Sequence, residues 1–150
     1  MGSKRLAALA VLTTGLLGVS GTCHAFKLIS EKEARLPDAP ADITVRGITR
    51  GPGIAVTSPD PTAETTKAPF ELKVVFQARG GSTIDAKSVQ VTYLKDPAVD
   101  LSERLKAGVS ENGIDLKNAE VPPGVHRIRI SVADSEGRKA STVFALKVVK

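Results

Sequence analysis

From Pro69 onward, apolar and polar positions alternate along the chain with a period of two. Phe70, Leu72, Val74 and Phe76 are separated by Glu71, Lys73, Val75 and Gln77, which is the spacing of a strand with one buried face. Arg79-Gly80-Gly81-Ser82 supplies the turn residues that end it. A second strand is predicted over 89–94, with Val89, Val91 and Tyr93 facing one way. The clearest pair covers 125–133 and 140–149. There His126, Ile128, Ile130 and Val132 share a face with Thr142, Phe144, Leu146 and Val148. Between them, Asp134-Ser135-Glu136-Gly137 suits a type I hairpin turn with Asp first and a left-handed Gly at its close. Shorter strands are predicted over 54–57, at a sheet edge where neighbouring prolines are tolerated, and over 114–116, after the turn Glu111-Asn112-Gly113.

Two segments have helical starts. Ser30-Glu31-Lys32-Glu33 has the form of a capping box, which predicts a short helix over 31–36 ending before Pro37. Asp100-Leu101-Ser102-Glu103 repeats the form with Asp as the cap, and one or two turns closed by Gly108 would serve as a crossover between sheets. Prolines 37, 40, 52, 59, 61 and 69, with Gly47, Gly51 and Gly53, punctuate the intervening chain as an extended linker. About seven short strands with turn signals roughly every 8–12 residues predict an all-β fold, a two-sheet antiparallel sandwich. It runs from about Gly53 to Lys150, with the helical crossover near 100–107. A flexible or loosely docked Pro/Gly-rich arm over 26–52 precedes it.

The first 25 residues have a different pattern. Lys4 and Arg5 precede an apolar run over 6–19, and Cys23-His24-Ala25 places small residues where a signal peptidase reads them. This is the form of a cleavable secretory signal, too short and too glycine-punctuated for a membrane span of roughly 20 residues. A rival reading takes Cys23 as a lipid-attachment site, although Ser20-Gly21-Thr22 is a poor match to the residues that usually precede one. The expectation is a periplasmic or secreted protein beginning at Phe26.

The run Gly124-Val-His126-Arg-Ile128-Arg-Ile130-Ser-Val132-Ala-Asp134-Ser-Glu-Gly137-Arg, with Phe144-x-Leu146-x-Val148 after it, resembles the last hairpin of bacterial immunoglobulin-like domains. Those domains often read Gly-Thr-His-Thr-Ile-Thr-Val and then Asp-x-x-Gly-Asn. The resemblance covers the final quarter of the chain. It implies an immunoglobulin-like sandwich, also akin to fibronectin type III, and a role in adhesion, spacing or protein interaction instead of catalysis. The helical insert near Asp100 and the position directly behind a signal depart from a plain spacer.

Composition narrows the chemistry further. The chain of 150 residues suits one domain. Its formal charge of +5 falls to +3 if Lys4 and Arg5 leave with the signal, too weak a field to imply nucleic acid. If Cys23 also leaves, the exported chain has no thiol and a single imidazole, His126. The expectation is therefore no enzyme, no cofactor and no metal site, with His126 as a buried structural histidine. Asp96, Asp100, Glu103, Asp134 and Glu136 near loops lack the dense spacing of a calcium site and read as caps and turn formers. Phe70, Phe76, Tyr93 and Phe144 all fall on inward positions, which leaves few exposed aromatics for stacking sugars.

What remains is surface. The outer side of the sheet that holds the last hairpin is predicted to carry Thr92, Leu94, Arg127, Arg129, Val143 and Ala145, a mixed arginine and apolar face suited to a protein partner. Arg46 and Arg50 form a candidate basic arm. The functional expectation is an interaction or structural accessory in the cell envelope, bound to another envelope or secreted protein. The alternative is a binding module for anionic envelope polysaccharide. Intact-mass measurement of the exported protein checks the address: a chain beginning at Phe26 is expected, whereas a diacylglyceryl mass on Cys23 marks the rival.

Overall fold

A computed structural model describes residues 26–40 and 50–150. The signal segment and the stretch 41–49, which includes Arg46, lie outside the described residues. In chain order the strands are β1 (Phe26–Lys27), β2 (Gly53–Ser58), β3 (Thr66–Lys67), β4 (Phe70–Gln77), β5 (Ile84–Tyr93), β6 (Val99–Asp100), β7 (Val109–Ser110), β8 (Gly113–Glu120), β9 (Gly124–Asp134) and β10 (Lys139–Val149). Helix α1 (Glu31–Ala34) follows β1, and α2 (Ser102–Leu105) with a 3₁₀ turn (Lys106–Gly108) lies between β6 and β7. One sheet runs β1-β8-β4-β2 with β7 beside β8, and the other runs β3-β10-β9-β5-β6. The result is a β-rich two-sheet sandwich, compatible with an immunoglobulin-like arrangement.

The alternation read from the sequence accounts for the shared core. Leu72, Val74 and Phe76 of β4 and His126, Ile128, Ile130 and Val132 of β9 are buried, while Glu71, Lys73 and Gln77 face solvent. The β9–β10 register pairs Ile128 with Phe144 and Ile130 with Thr142, as the hairpin pattern predicts. Its turn closes with Gly137 at φ 76°, a conformation a side chain would strain. Asp134, only 3% exposed, receives the N–H groups of Glu136 and Arg138, the Arg138 Nε–H and the Ser82 hydroxyl. Burial alone would raise its pKa, but these donors outweigh it and hold the carboxyl below its usual value. At the turn between β7 and β8, Gly113 has φ 147°, and a Cβ there would collide with the Val74 carbonyl.

Three features differ from the sequence-based expectation. First, the sheets are mixed: the long strands are antiparallel, but β1 pairs parallel with β8 and β3 pairs parallel with β10. Pairs of two residues are too short for periodicity to reveal. Second, the sandwich does not begin at Gly53, because Leu28 and Ile29 are each 1% exposed and belong to the core. Helix α1 has the predicted capping box, with the Ser30 hydroxyl accepting from Glu33 N–H and Glu33 accepting from Ser30 N–H. Glu33 also receives both arms of the Arg104 guanidinium, at 2.5 and 2.9 Å, and Arg104 donates to the Leu28 carbonyl. Residues 26–34 are thus held by α2.

Third, α2 lies where the crossover is predicted but is not capped by Asp100 in the predicted way. Asp100 accepts from Ser102 N–H in a tight turn, and the helix begins one residue after Leu101. The Ser102 hydroxyl accepts instead from Val91 N–H of β5 at 2.9 Å. Satisfying that edge amide, with Leu101 and Leu105 fully buried, sets the helix position more strongly than a cap would.

The Glu33–Arg104 pair has a measurable consequence. The Arg104 hydrogen bonds, aided by those from Ser30, bring the Glu33 pKa from 4.5 to about 2 against the opposing effect of burial. A carboxylate held below its unfolded value stabilises the fold above about pH 4.5, and that contribution fades as pH falls toward 2. Glu33→Gln is expected to lower stability at pH 7 by about 1–2 kcal/mol. In urea titrations the difference from wild type should shrink progressively below pH 4.

Candidate interaction face

Strand alternation places one side chain in two of β5, β9 and β10 on the outside of the second sheet. Register then aligns Thr92, Arg129 and Val143 in a single row across the three strands. The next row sets Arg127 beside Ala145, and the one after it sets Val125 beside Lys147. Val125 is 59% exposed and Val143 36%, and these are the exposed large apolar side chains among the described residues. They lie diagonally on the same face. Val125 was not part of the face expected from sequence, although its odd position in β9 was the available signal.

Leu94 is a correction. It was expected on the outer surface with Thr92, yet it is 8% exposed. β5 ends at Tyr93, and the segment that follows α1 is laid against Leu94: Ala39 N–H donates to its carbonyl, and Asp96 N–H donates to the Pro37 carbonyl. Arg127 takes part in this docking, with Nη2 donating to the Ala39 carbonyl at 2.6 Å. Of the predicted face, then, Thr92, Arg129 and Val143 form one row, while Leu94 and Arg127 anchor residues 37–39. Of the basic arm, Arg50 is exposed and Arg46 lies outside the described residues.

Beneath this corner runs a polar chain that the sequence did not announce. Lys95 is buried and bonds to Asp38 Oδ1 at 2.6 Å, with its ammonium 5.4 Å from the centre of the Tyr93 ring. Burial opposes the Lys95 charge, but the Asp38 hydrogen bond prevails and raises its pKa; the same bond lowers that of Asp38. Tyr93, fully buried, places its hydroxyl 2.8 Å from His126 Nδ1, and His126 Nε2 lies 2.8 Å from the Pro122 carbonyl. A carbonyl can only accept, so Nε2 carries the proton and Nδ1 accepts from the Tyr93 hydroxyl. Burial, with Lys95 nearby, lowers the His126 pKa against the opposing Pro122 bond. Both ring nitrogens are engaged, and no serine or carboxylate bonds to them among these contacts.

The loop carboxylates are likewise engaged in local structure: Asp100 accepts from Ser102, and Asp134 from its own turn. Among the described residues no three His, Cys, Asp or Glu side chains gather as a metal site would require. No helix among them is long and apolar enough to cross a membrane.

Because the folded imidazole is neutral and the unfolded one titrates near 6.5, the His126 contribution is complete above that pH and lost as pH falls through its depressed folded value. The His126 ring protons should titrate with a midpoint below 6.5 by NMR; a midpoint at or above 6.5 would contradict the assignment. Tyr93→Phe leaves Nδ1 buried without a donor, so urea unfolding should show a loss of roughly 1–3 kcal/mol. Comparison of the chain with protein-family models, curated proteins and solved structures finds no match.

Proposed function

We propose that the protein is an exported, non-catalytic module of the bacterial immunoglobulin-like kind that serves as a protein-interaction accessory in the cell envelope. The observation that carries this reading is the outer face of β10, β9 and β5. Val125 and Val143, the exposed large apolar side chains of the described residues, lie there on one face, Val143 in a row with Arg129 and Thr92 and Val125 two rows further along β9. A protein partner would remove that apolar area from water, and arginine beside it is a residue type enriched in interfaces. The engagement of His126, Asp100 and Asp134 in internal hydrogen bonds favours a binding role over a chemical one. Export rests on the pattern of the first 25 residues, and the hairpin resemblance supports the family assignment.

Val125→Glu with Val143→Glu should reduce recovery of the partner from an envelope fraction at least five-fold while leaving the thermal melt nearly unchanged, because both sites are exposed. Unaltered recovery would overturn the reading. Retention on anionic polysaccharide that weakens steeply with salt would favour the polymer-binding alternative.

A further inference from the structure

The hydrogen-bond phase of β9 determines which side of β10 is open. Leu94 N–H donates to the Arg127 carbonyl at 2.9 Å, so the odd residues of β9 bond toward β5 and the even ones toward β10. The bonded pairs of the hairpin are therefore Val132/Ala140, Ile130/Thr142, Ile128/Phe144 and His126/Leu146. The main-chain groups of Ser141, Val143 and Ala145 point the other way. On that side the pairing strand among the described residues is β3, which meets β10 only at Val148 and Val149. At the far end Gly51 packs on the Lys139 carbonyl, so closely that a Cβ would lie 2.8 Å from it. A three-amide window lies between these two covers.

The window differs in composition from a protected edge. Residues 140–146 contain no charge, glycine or proline, whereas natural edges usually carry such blockers. Beside it is an open groove of about 310 Å³, lined by Val56, Pro59, Pro61, Ala63 and Asp60, whose carboxylate is engaged by Thr62, on one side and by Val143 to Lys147 on the other. Exposed Lys139 and Lys147 stand at either end of the window.

We propose that this edge of β10 takes up an extended segment of a partner protein by antiparallel strand addition, and that the segment alternates apolar and polar residues between acidic ends. Main-chain bonds to Ser141, Val143 and Ala145 supply affinity, and the groove takes an inward side chain of the added strand. The lysines select the ends. They also argue against a second copy as the occupant: a two-fold pairing centred on Val143 would set Lys139 opposite Lys147 of the other copy twice, and like charges directly opposed are unfavourable. The proposal rests on the protein-interaction reading above and names its partner class.

The test uses the full exported chain, ¹⁵N-labelled, with a blocked peptide of alternating threonine and valine carrying aspartate at each end. The Ser141, Val143 and Ala145 amides should exchange rapidly in the free protein, then shift and become protected on peptide addition. The same peptide with lysine ends should bind at least ten-fold more weakly, as should the acidic peptide to Lys139→Glu with Lys147→Glu. Val143→Pro should abolish binding, because it removes a donor that no internal strand uses; the lysine double variant keeps the test decisive if proline perturbs the strand. Slow exchange of the three amides without peptide, or equal binding of both peptides, would overturn the proposal. If the lysine double variant still recovers the envelope partner while Val125→Glu does not, the face reading survives and the edge mode fails.

Discussion

The bidentate pair between Glu33 and Arg104 is the contact on which the arrangement of the outer parts depends. Arg104 belongs to the helix that carries the chain from one sheet to the other, and the same guanidinium bonds to the Leu28 carbonyl. It therefore joins the first described residues to the crossover and holds Leu28 and Ile29 between the sheets. Two further links follow along the same segment. Asp38 reaches buried Lys95, and the Ala39 carbonyl receives Arg127. These bonds decide where the outer face stops, since they cover Leu94 and engage Arg127.

The interior polar groups are organised by a second rule, that a buried donor or acceptor without a partner is costly. Lys95, Tyr93, His126 and the Pro122 carbonyl satisfy one another in sequence beneath the corner where residues 37–39 dock. Asp134 does the same for the hairpin turn and, through Ser82, for the neighbouring loop. No buried side-chain nitrogen or oxygen among the described residues lacks a hydrogen-bond partner. The polar residues that first attract attention in the sequence are thus structural in their contacts. The features left facing outward are apolar side chains on a sheet and main-chain groups on its edge, and both suit association with another chain.

Much of the architecture is legible in the order of residues because a strand must point alternate side chains to opposite faces. That rule determined β4, β9 and β10 and the inward placement of His126 and Tyr93, while turn and capping residues marked the turn at Asp134 to Gly137 and the first capping box. It also placed Thr92, Arg129 and Val143 on one outer surface. What only the tertiary structure decided involves residues far apart in the chain. The burial of Leu28 and Ile29, the parallel pair made by β1 and the loss of Leu94 from the surface depend on where residues 26–40 come to rest, and the parallel pair made by β3 depends on where residues 66–67 meet the end of β10. A residue distant in sequence also claims the Ser102 hydroxyl, which serves the Val91 amide of β5 instead of its own helix. Local pattern records only the periodicity of a segment, whereas these outcomes were set by long-range burial and by buried amides and charges that had to find partners.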